Sequence, residues 1–144
     1  MFSSTEREGT RRRQQVDTIV EGIGINRVTA NFEAGRECVE RAVRVSDEQA
    51  MRMARWLVEK DGIFVGSSSA VNVWAAVRVA LDMKREEEEA RERGSEVEVV
   101  GKRRKKTVVT ILCDSGTRHL SKFWAKAGEI GGKSDTTLEE VMAA

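Results

Sequence analysis

The sequence of 144 residues contains no proline, one histidine and two cysteines, and it has no long apolar run. Because about 20 consecutive apolar residues are needed to cross a bilayer, no membrane-spanning segment is predicted. The 25 basic and 24 acidic side chains leave a formal charge of +1, which indicates neither a nucleic-acid nor an acidic partner. Cys38 and Cys113 lie far apart, which favours free thiols in a cytoplasmic protein over a disulfide or a zinc site.

The length of the chain suits one domain with a hydrophobic core, and it is too short for two. Residues 1–15 are polar and include three adjacent arginines, so we expect a solvated lead-in rather than a transit peptide. The regular apolar patterns lie in residues 16–126, interrupted by a charged insertion at 84–106. Its KRRKK run has no aromatic residues beside it, which favours a solvated loop over a nucleic-acid site. Residues 127–144 form a polar tail that ends in one short helical turn.

The stretch 107–124, TVVTILCDSGTRHLSKFW, organises the rest of the chain. Residues 107–112 are β-branched or aliphatic without a break, which is typical of a strand buried on both faces of a parallel sheet. A polar turn follows, and residues 117–124 then show helical spacing. Open α/β sheets hold ligands where strands end beside helix starts. We therefore expect Ser115, in this turn, to face a binding site.

The other patterns complete an α/β fold with an incomplete, mostly parallel sheet and helices on its faces. Strands are predicted at 16–20, 42–45 and 63–65. Helices are predicted at 46–60, where Ser46 and Gln49 have capping-box spacing, and at 68–93, which begins apolar and ends charged. At the start of the second helix, Gly66 and three serines predict a helix cap, and an anion site is the less favoured alternative.

Ser115 and His119 suggest a hydrolase, but the sequence around them argues against one. Asp114, Ser115 and Gly116 lack the first glycine of the G-x-S-x-G elbow. We expect His119 to be a surface or edge residue. No H-x-x-E-H or C-x-x-C spacing occurs, so neither a catalytic residue nor a metal ligand is assigned.

Three blocks together resemble one family. They are EGIGINRV, SDEQAMRMARWLVEKDGIFVGSSSAVNVWAAV and VVTILCDSGTRHLSKFW. In this order they are similar to the C-terminal part of the cysteine synthase/cystathionine β-synthase family, whose members are pyridoxal-phosphate enzymes of fold type II, the tryptophan synthase β-like group. The resemblance implies pyridoxal 5′-phosphate as cofactor, an amino-acid substrate, and the synthesis of cysteine from an activated serine and a sulfide donor.

The resemblance also implies roles for particular residues. Ser115 matches the family serine that hydrogen-bonds the pyridine nitrogen of the cofactor. Gly22 and Gly24 match glycines that line the active-site cleft. The turn Gly66 to Ala70 matches a G-x-S-x-G/A segment, although this chain has Ala70 where many relatives have glycine.

Other parts of the family's site are not matched in this sequence. They are the lysine that forms the Schiff base, the substrate-carboxylate loop and the Gly/Thr-rich phosphate loop. We therefore expect a C-terminal fragment of a cysteine synthase-like enzyme that is inactive alone. The alternative is a non-catalytic module that binds a full-length relative or another partner. A homo-oligomer is left open, and neither a nucleic acid nor a membrane is expected as partner.

Overall fold

The computed structural model describes residues 18–23, 28–93, 106–130 and 136–143. Gly24, the lead-in at 1–15 and the KRRKK run up to residue 105 therefore lie outside the described residues. The described helices, in chain order, are α1 (Ala30–Gly35) with a 3₁₀ turn at Arg36–Cys38, α2 (Asp47–Trp56) with a π turn at Leu57–Asp61, α3 (Ser67–Glu92), a 3₁₀ turn at Gly116–His119 followed by a π turn at Leu120–Trp124, α4 (Ala125–Glu129) and α5 (Leu138–Ala143).

Helix α2 begins and ends as its sequence predicts. The Ser46 hydroxyl accepts a hydrogen bond from the Gln49 amide, and the Gln49 side chain accepts one from the Ser46 amide, which completes the capping box. Gly62 ends the helical segment in the left-handed conformation, with φ of 68°. The helix predicted at 46–60 is confirmed.

The core lies between α2 and α3, with α4 and α5 against α2. Helix α5, predicted as a closing turn, is confirmed, and its Val141 carbonyl accepts a hydrogen bond from the Trp74 indole at 3.4 Å. The apolar side chains of the core are buried because the stripe of α2 faces the first turns of α3. They are Ile19, Val20, Ala50, Met51, Met53, Ala54, Leu57, Val65, Ala70, Trp74, Phe123, Ala127 and Val141.

Helix α3 confirms the helix predicted at 68–93 and its two-part character. Its first turns are packed in the core, whereas residues 84–89 are exposed. The exposed part carries ion pairs one turn apart, such as Glu89 with Arg85 at 3.7 Å and with Arg93 at 3.5 Å. None of the described helices, α3 included, is long and apolar enough to cross a membrane.

The predicted sheet is not confirmed, since residues 18–23, 28–93, 106–130 and 136–143 contain no β-strand. The one remnant of pairing is an antiparallel bridge between Val65 and Ser115. Residues 107–112, expected to be buried on both faces, are exposed, with Val109 86% and Ile111 69% accessible. That expectation of burial is wrong for this chain, because strands form and become buried only beside neighbouring strands, and the described residues supply none.

Asp82 on α3 connects the irregular segment before α2 to the helix. Its carboxylate, 7% exposed, binds Arg41 and lies 3.4 Å from Arg78 Nε and 3.8 Å from an Arg85 guanidinium nitrogen. The hydrogen bond from Arg41 lowers the pKa of Asp82 below its ordinary value of 3.8, with burial opposing and the charges of Arg78, Arg41 and Arg85 assisting.

This shift predicts a loss of stability in acid. Because the folded pKa is depressed, the contribution of Asp82 is fully present above its ordinary pKa of 3.8 and is lost as the pH falls through the lower folded value. Urea unfolding from pH 6 to pH 2 should show that Asp82→Asn destabilises the chain at pH 6 and that this difference shrinks below about pH 4. Asp61→Asn, at an exposed position, is the matched control. A difference that stays constant with pH would contradict the prediction.

Candidate functional site

The turn that carries Ser115 lies against the start of α3. The Ser115 residue is exposed, and its hydroxyl oxygen accepts hydrogen bonds from the Thr117 amide at 3.3 Å and the Thr117 hydroxyl at 3.2 Å. Ser115 therefore caps the 3₁₀ turn that follows. Because both hydrogen bonds are donated to Ser115, its own hydroxyl proton remains available to an acceptor in solvent or in a ligand.

Ser69 fastens this turn to α3. Its side chain is fully buried, and its oxygen accepts hydrogen bonds from the Cys113 amide at 2.8 Å and the Asp114 amide at 3.3 Å. The Gly66 amide donates to the Asp114 carbonyl at 3.0 Å, and the Gly116 amide donates to the Phe64 carbonyl at 3.1 Å. The Ser69 hydroxyl also donates to the Asp114 carbonyl at 3.3 Å, so five hydrogen bonds fix the backbone on both sides of Ser115.

Ser67 fastens a second segment at the same place. Its buried hydroxyl accepts a hydrogen bond from the Glu21 amide at 3.2 Å. Gly22, the next residue, is left-handed with φ of 79°, which glycine adopts without strain. The serines at the start of α3 were predicted to cap it, but Gly66 is the cap residue and no side chain caps it. Ser67 and Ser69 instead bind backbone groups of two other segments.

His119 is not a surface residue, so that prediction is wrong. It is 9% exposed, and its Nε2 lies 2.6 Å from Asp114 Oδ2. The 3₁₀ turn directs the ring back toward Asp114, five residues earlier, whereas the Ser115 hydroxyl bonds to Thr117. His119 thus pairs with Asp114 and not with Ser115, as it would in a hydrolase. The other carboxylate oxygen, Asp114 Oδ1, is buried and has no hydrogen-bond partner among the described residues.

Two glycines allow the side chains around this turn to pack closely against the backbone. A Cβ atom at Gly66 would overlap the Asp114 carboxylate and lie 2.8 Å from His119 Cδ2. A Cβ atom at Gly116 would lie 2.6 Å from the Trp124 indole nitrogen. The sequence offered a weak signal of this packing, since a glycine directly follows each of the two paired residues, Val65 and Ser115.

The described residues fit only part of the cofactor site that the resemblance implies. The Ser115 hydroxyl proton can be donated to a ring nitrogen, which fits. Imine chemistry instead needs an amine with a lowered proton affinity, and apolar burial is one way to supply it. The lysines in the described part of the chain are exposed, so none has that environment: Lys60, Lys84, Lys106, Lys122 and Lys126. The described residues therefore match only part of such a site.

Comparison with known proteins agrees with the resemblance. The family described as "Pyridoxal-phosphate dependent enzyme" matches residues 1–114. The chain is 62% identical, over its whole length, to "Cysteine synthase 2" of Emericella nidulans, of which it covers 29%. It is 61% identical over 96% of its length to "Cysteine synthase 2" of Neurospora crassa, covering 26% of that protein. With "Putative mitochondrial cysteine synthase" of Saccharomyces cerevisiae the identity is 49% over 99% of the chain and 31% of the relative.

No solved structure matches the chain. The chain spans less than a third of the length of each of these curated relatives. The family match covers most of the chain, and the cofactor that the resemblance implied is the one in the family's description. The chain therefore belongs to the pyridoxal-phosphate dependent enzyme family, and its predicted similarity to cysteine synthases is confirmed.

Proposed function

We propose that this chain supplies one wall of the pyridoxal-phosphate site of a cysteine synthase-like enzyme, corresponding to the C-terminal part of that enzyme. Ser115 donates its hydroxyl proton to the pyridine nitrogen, and Gly22 and Gly24 line the cleft. One observation carries the proposal: Glu21, which precedes Gly22, lies 3.8 Å from His119 in the helical turn that follows Ser115, and it bonds to Ser67 at the start of α3. Two segments named by the resemblance thus meet at one helix start.

The chemistry of a hydroxyl suits this position. When bound, the cofactor supplies the electron sink for replacing a leaving group on an amino acid with a sulfide. Ser115 is neutral, so it can donate a hydrogen bond to the ring nitrogen without keeping that nitrogen protonated, as a carboxylate would. Its place on a backbone fixed by Ser69 and Gly66 keeps the hydroxyl at a constant position.

The rest of the reaction would be supplied by the remainder of the enzyme. We propose that the chain alone has no activity, because no described lysine is buried in an apolar environment. We also propose that residues 107–112 become a strand of a mostly parallel sheet when that remainder covers them. In support, these residues are β-branched or aliphatic and exposed, and the family has an α/β fold. We also propose that residues 16–126 form a partial enzyme domain, since they include this run and the segments that the resemblance names.

The proposed compartment is the cytoplasm, where cysteines stay reduced. Both cysteines, Cys38 and Cys113, are exposed and free. The Saccharomyces cerevisiae relative is named as putatively mitochondrial, so fractionation of cells that express the tagged chain is the deciding measurement.

The cofactor assignment predicts weak binding that depends on the Ser115 hydroxyl. Pyridoxal phosphate should bind the purified chain without an imine absorbance band, and Ser115→Ala should weaken binding about 3- to 10-fold, the effect of one neutral hydrogen bond. With O-acetylserine and sulfide, no cysteine should form above the uncatalysed rate. Cofactor fluorescence titration and a thiol assay measure these outcomes.

Two variants separate the cofactor role from the cap. Ser115→Thr keeps a hydroxyl and should retain binding, and Ser121→Ala, at an exposed serine of the next turn, should leave it unchanged. If Ser115→Ala binds the cofactor as tightly as Ser121→Ala does, the assignment of Ser115 fails. Saturable turnover that is lost in Ser115→Ala would contradict the proposed inactivity.

A second candidate function is a non-catalytic interaction module. It is favoured by an open apolar groove between α3 and residues 108–110, with a volume of about 340 Å³ and Ala75, Ala76 and Val79 in its floor. Val109 in its lining and Ile111 next to it in the chain are largely exposed, as at surfaces that bind another protein. Self-association of the chain, argued in the Discussion, tests this surface without reference to the cofactor.

A further inference from the structure

The ring of His119 lies between two carboxylates that belong to different segments. Its Nε2 is 2.6 Å from Asp114 Oδ2, and its Nδ1 is 3.8 Å from Glu21 Oε2. The ring is 9% exposed, and it is the one histidine of the sequence. Asp114 precedes Ser115 in the turn, and Glu21 precedes Gly22. The imidazole therefore connects the two segments of the proposed site.

Among the described residues, the two carboxylates pair with the ring, and Glu21 also pairs with one cation. Lys122, one turn further along the same helical segment, lies 3.7 Å from Glu21 Oε1. At the start of α3 the ring contacts the position of Gly66, which carries no charge. Glu21 is thus shared between Lys122 and His119.

A neutral imidazole has one N–H donor and one acceptor nitrogen, whereas the imidazolium has two donors. The short contact makes Nε2 the donor to Asp114 in either state. In the neutral ring, Nδ1 then presents a lone pair to the Glu21 carboxylate, and two acceptors repel each other. Only the protonated ring can bind both carboxylates. At 3.8 Å the contact with Glu21 is longer than a hydrogen bond, so it can tighten.

We propose that His119 is a positioning residue whose second proton attaches the segment of Glu21 and Gly22 to the turn of Asp114 and Ser115. Protonation completes a bridge from Asp114 through the ring to Glu21. Deprotonation leaves that segment held by Ser67, by Lys122 and by the Asp47 carboxylate, which accepts hydrogen bonds from Thr18 and Ile19. The geometric part of this inference is independent of any cofactor. Its meaning for catalysis rests on the proposed function, since only then does the bridge set the width of a cleft between Gly22 and Ser115.

The test uses the ring and backbone signals of the full chain, labelled with ¹⁵N, in an NMR titration from pH 8 to pH 5. A single histidine gives one pair of ring nitrogen signals, so protonation is read without ambiguity. The amide signal at position 21 should move together with the ring signals as the second proton binds. In Glu21→Gln, the movement of this amide signal with the ring signals should shrink, because the carboxylate that faces the second N–H is replaced by a neutral amide.

Glu86→Gln removes the same charge at an exposed position of α3 and should leave the movement of the position-21 amide signal unchanged. A ring that titrates while the amide at position 21 stays constant would overturn the proposal. So would an amide at position 21 that moves with the ring signals in Glu21→Gln as far as it does in the unaltered chain and in Glu86→Gln. Because no cofactor is present, either result would leave the cofactor assignment of Ser115 untouched, and loss of cofactor binding in Ser115→Ala would leave the bridge untouched.

Discussion

Replacing Ser69 by alanine should lower the free energy of unfolding by about 2 to 4 kcal/mol. The hydroxyl is fully buried and accepts hydrogen bonds from the amides of Cys113 and Asp114. Alanine leaves both amides facing a methyl group, and an unsatisfied buried donor costs about 1 to 3 kcal/mol. The lower part of the summed range applies because Cys113 is exposed and Asp114 is half-buried, so water can partly replace the lost hydrogen bonds. Urea unfolding followed by Trp fluorescence measures the change.

Ser68→Ala is a closely matched control. Ser68 is the preceding residue of the same helix and is partly exposed, so the two substitutions change helix propensity equally. Its replacement should alter stability by less than about 0.5 kcal/mol. Similar losses in the two variants would show that the turn of Ser115 is not held by the Ser69 hydroxyl. Loss of protection of the Cys113 amide from hydrogen exchange in Ser69→Ala alone would locate the effect.

The helices could be predicted from the sequence because their signals are local. Helix α2 has its capping box, its apolar stripe and its terminal glycine within 17 residues of chain, from Ser46 to Gly62. Helix α3 begins after a turn and ends as a charged extension with pairs one turn apart. The short helix α1 was not predicted, since residues 28–40 have no clean apolar period and none of its residues is buried.

The sheet could not be established in the same way, because a strand is defined by residues distant in sequence. The run at 107–112 has the composition of a buried strand. Composition indicates that a buried position suits these residues, whereas in this structure they are exposed. In the structure the run lies along α3, where the Asn72 side chain donates to the Ile111 carbonyl at 3.0 Å. An apolar run thus predicts that other residues should bury it, but it does not identify those residues.

The site was predicted in part for a similar reason. The family resemblance named Ser115 and Gly22, and the structure brings their segments to the start of α3. Asp114, His119 and Ser67 were not expected to connect those segments, because each looks in sequence like a turn, surface or cap residue. Contacts across 46 and 45 residues, from Ser67 and Ser69, carry no periodic signal.

The exposed run should make the chain associate with itself. Val109 and Ile111 are 86% and 69% exposed, and among the described residues no backbone-to-backbone hydrogen bond involves residues 107–112. An unpaired, β-branched segment of this kind is a template for pairing with a second copy. We expect sedimentation velocity over a dilution series to show concentration-dependent association, together with binding of a hydrophobic dye.

The double substitution Val109→Lys and Ile111→Lys should weaken this association at least about a hundredfold. Burying two such side chains contributes about 3 to 6 kcal/mol, and lysine at the same positions adds like charges that repel across a paired edge. Val39→Lys is the control, since Val39 is a half-exposed valine that follows the turn at Arg36–Cys38 and does not belong to the run. The helices should be unaffected, because neither changed residue packs in the core, and circular dichroism checks this. A chain that is monomeric at every concentration, or a double variant that associates as the Val39→Lys chain does, would contradict both the self-association and the apolar run as its cause.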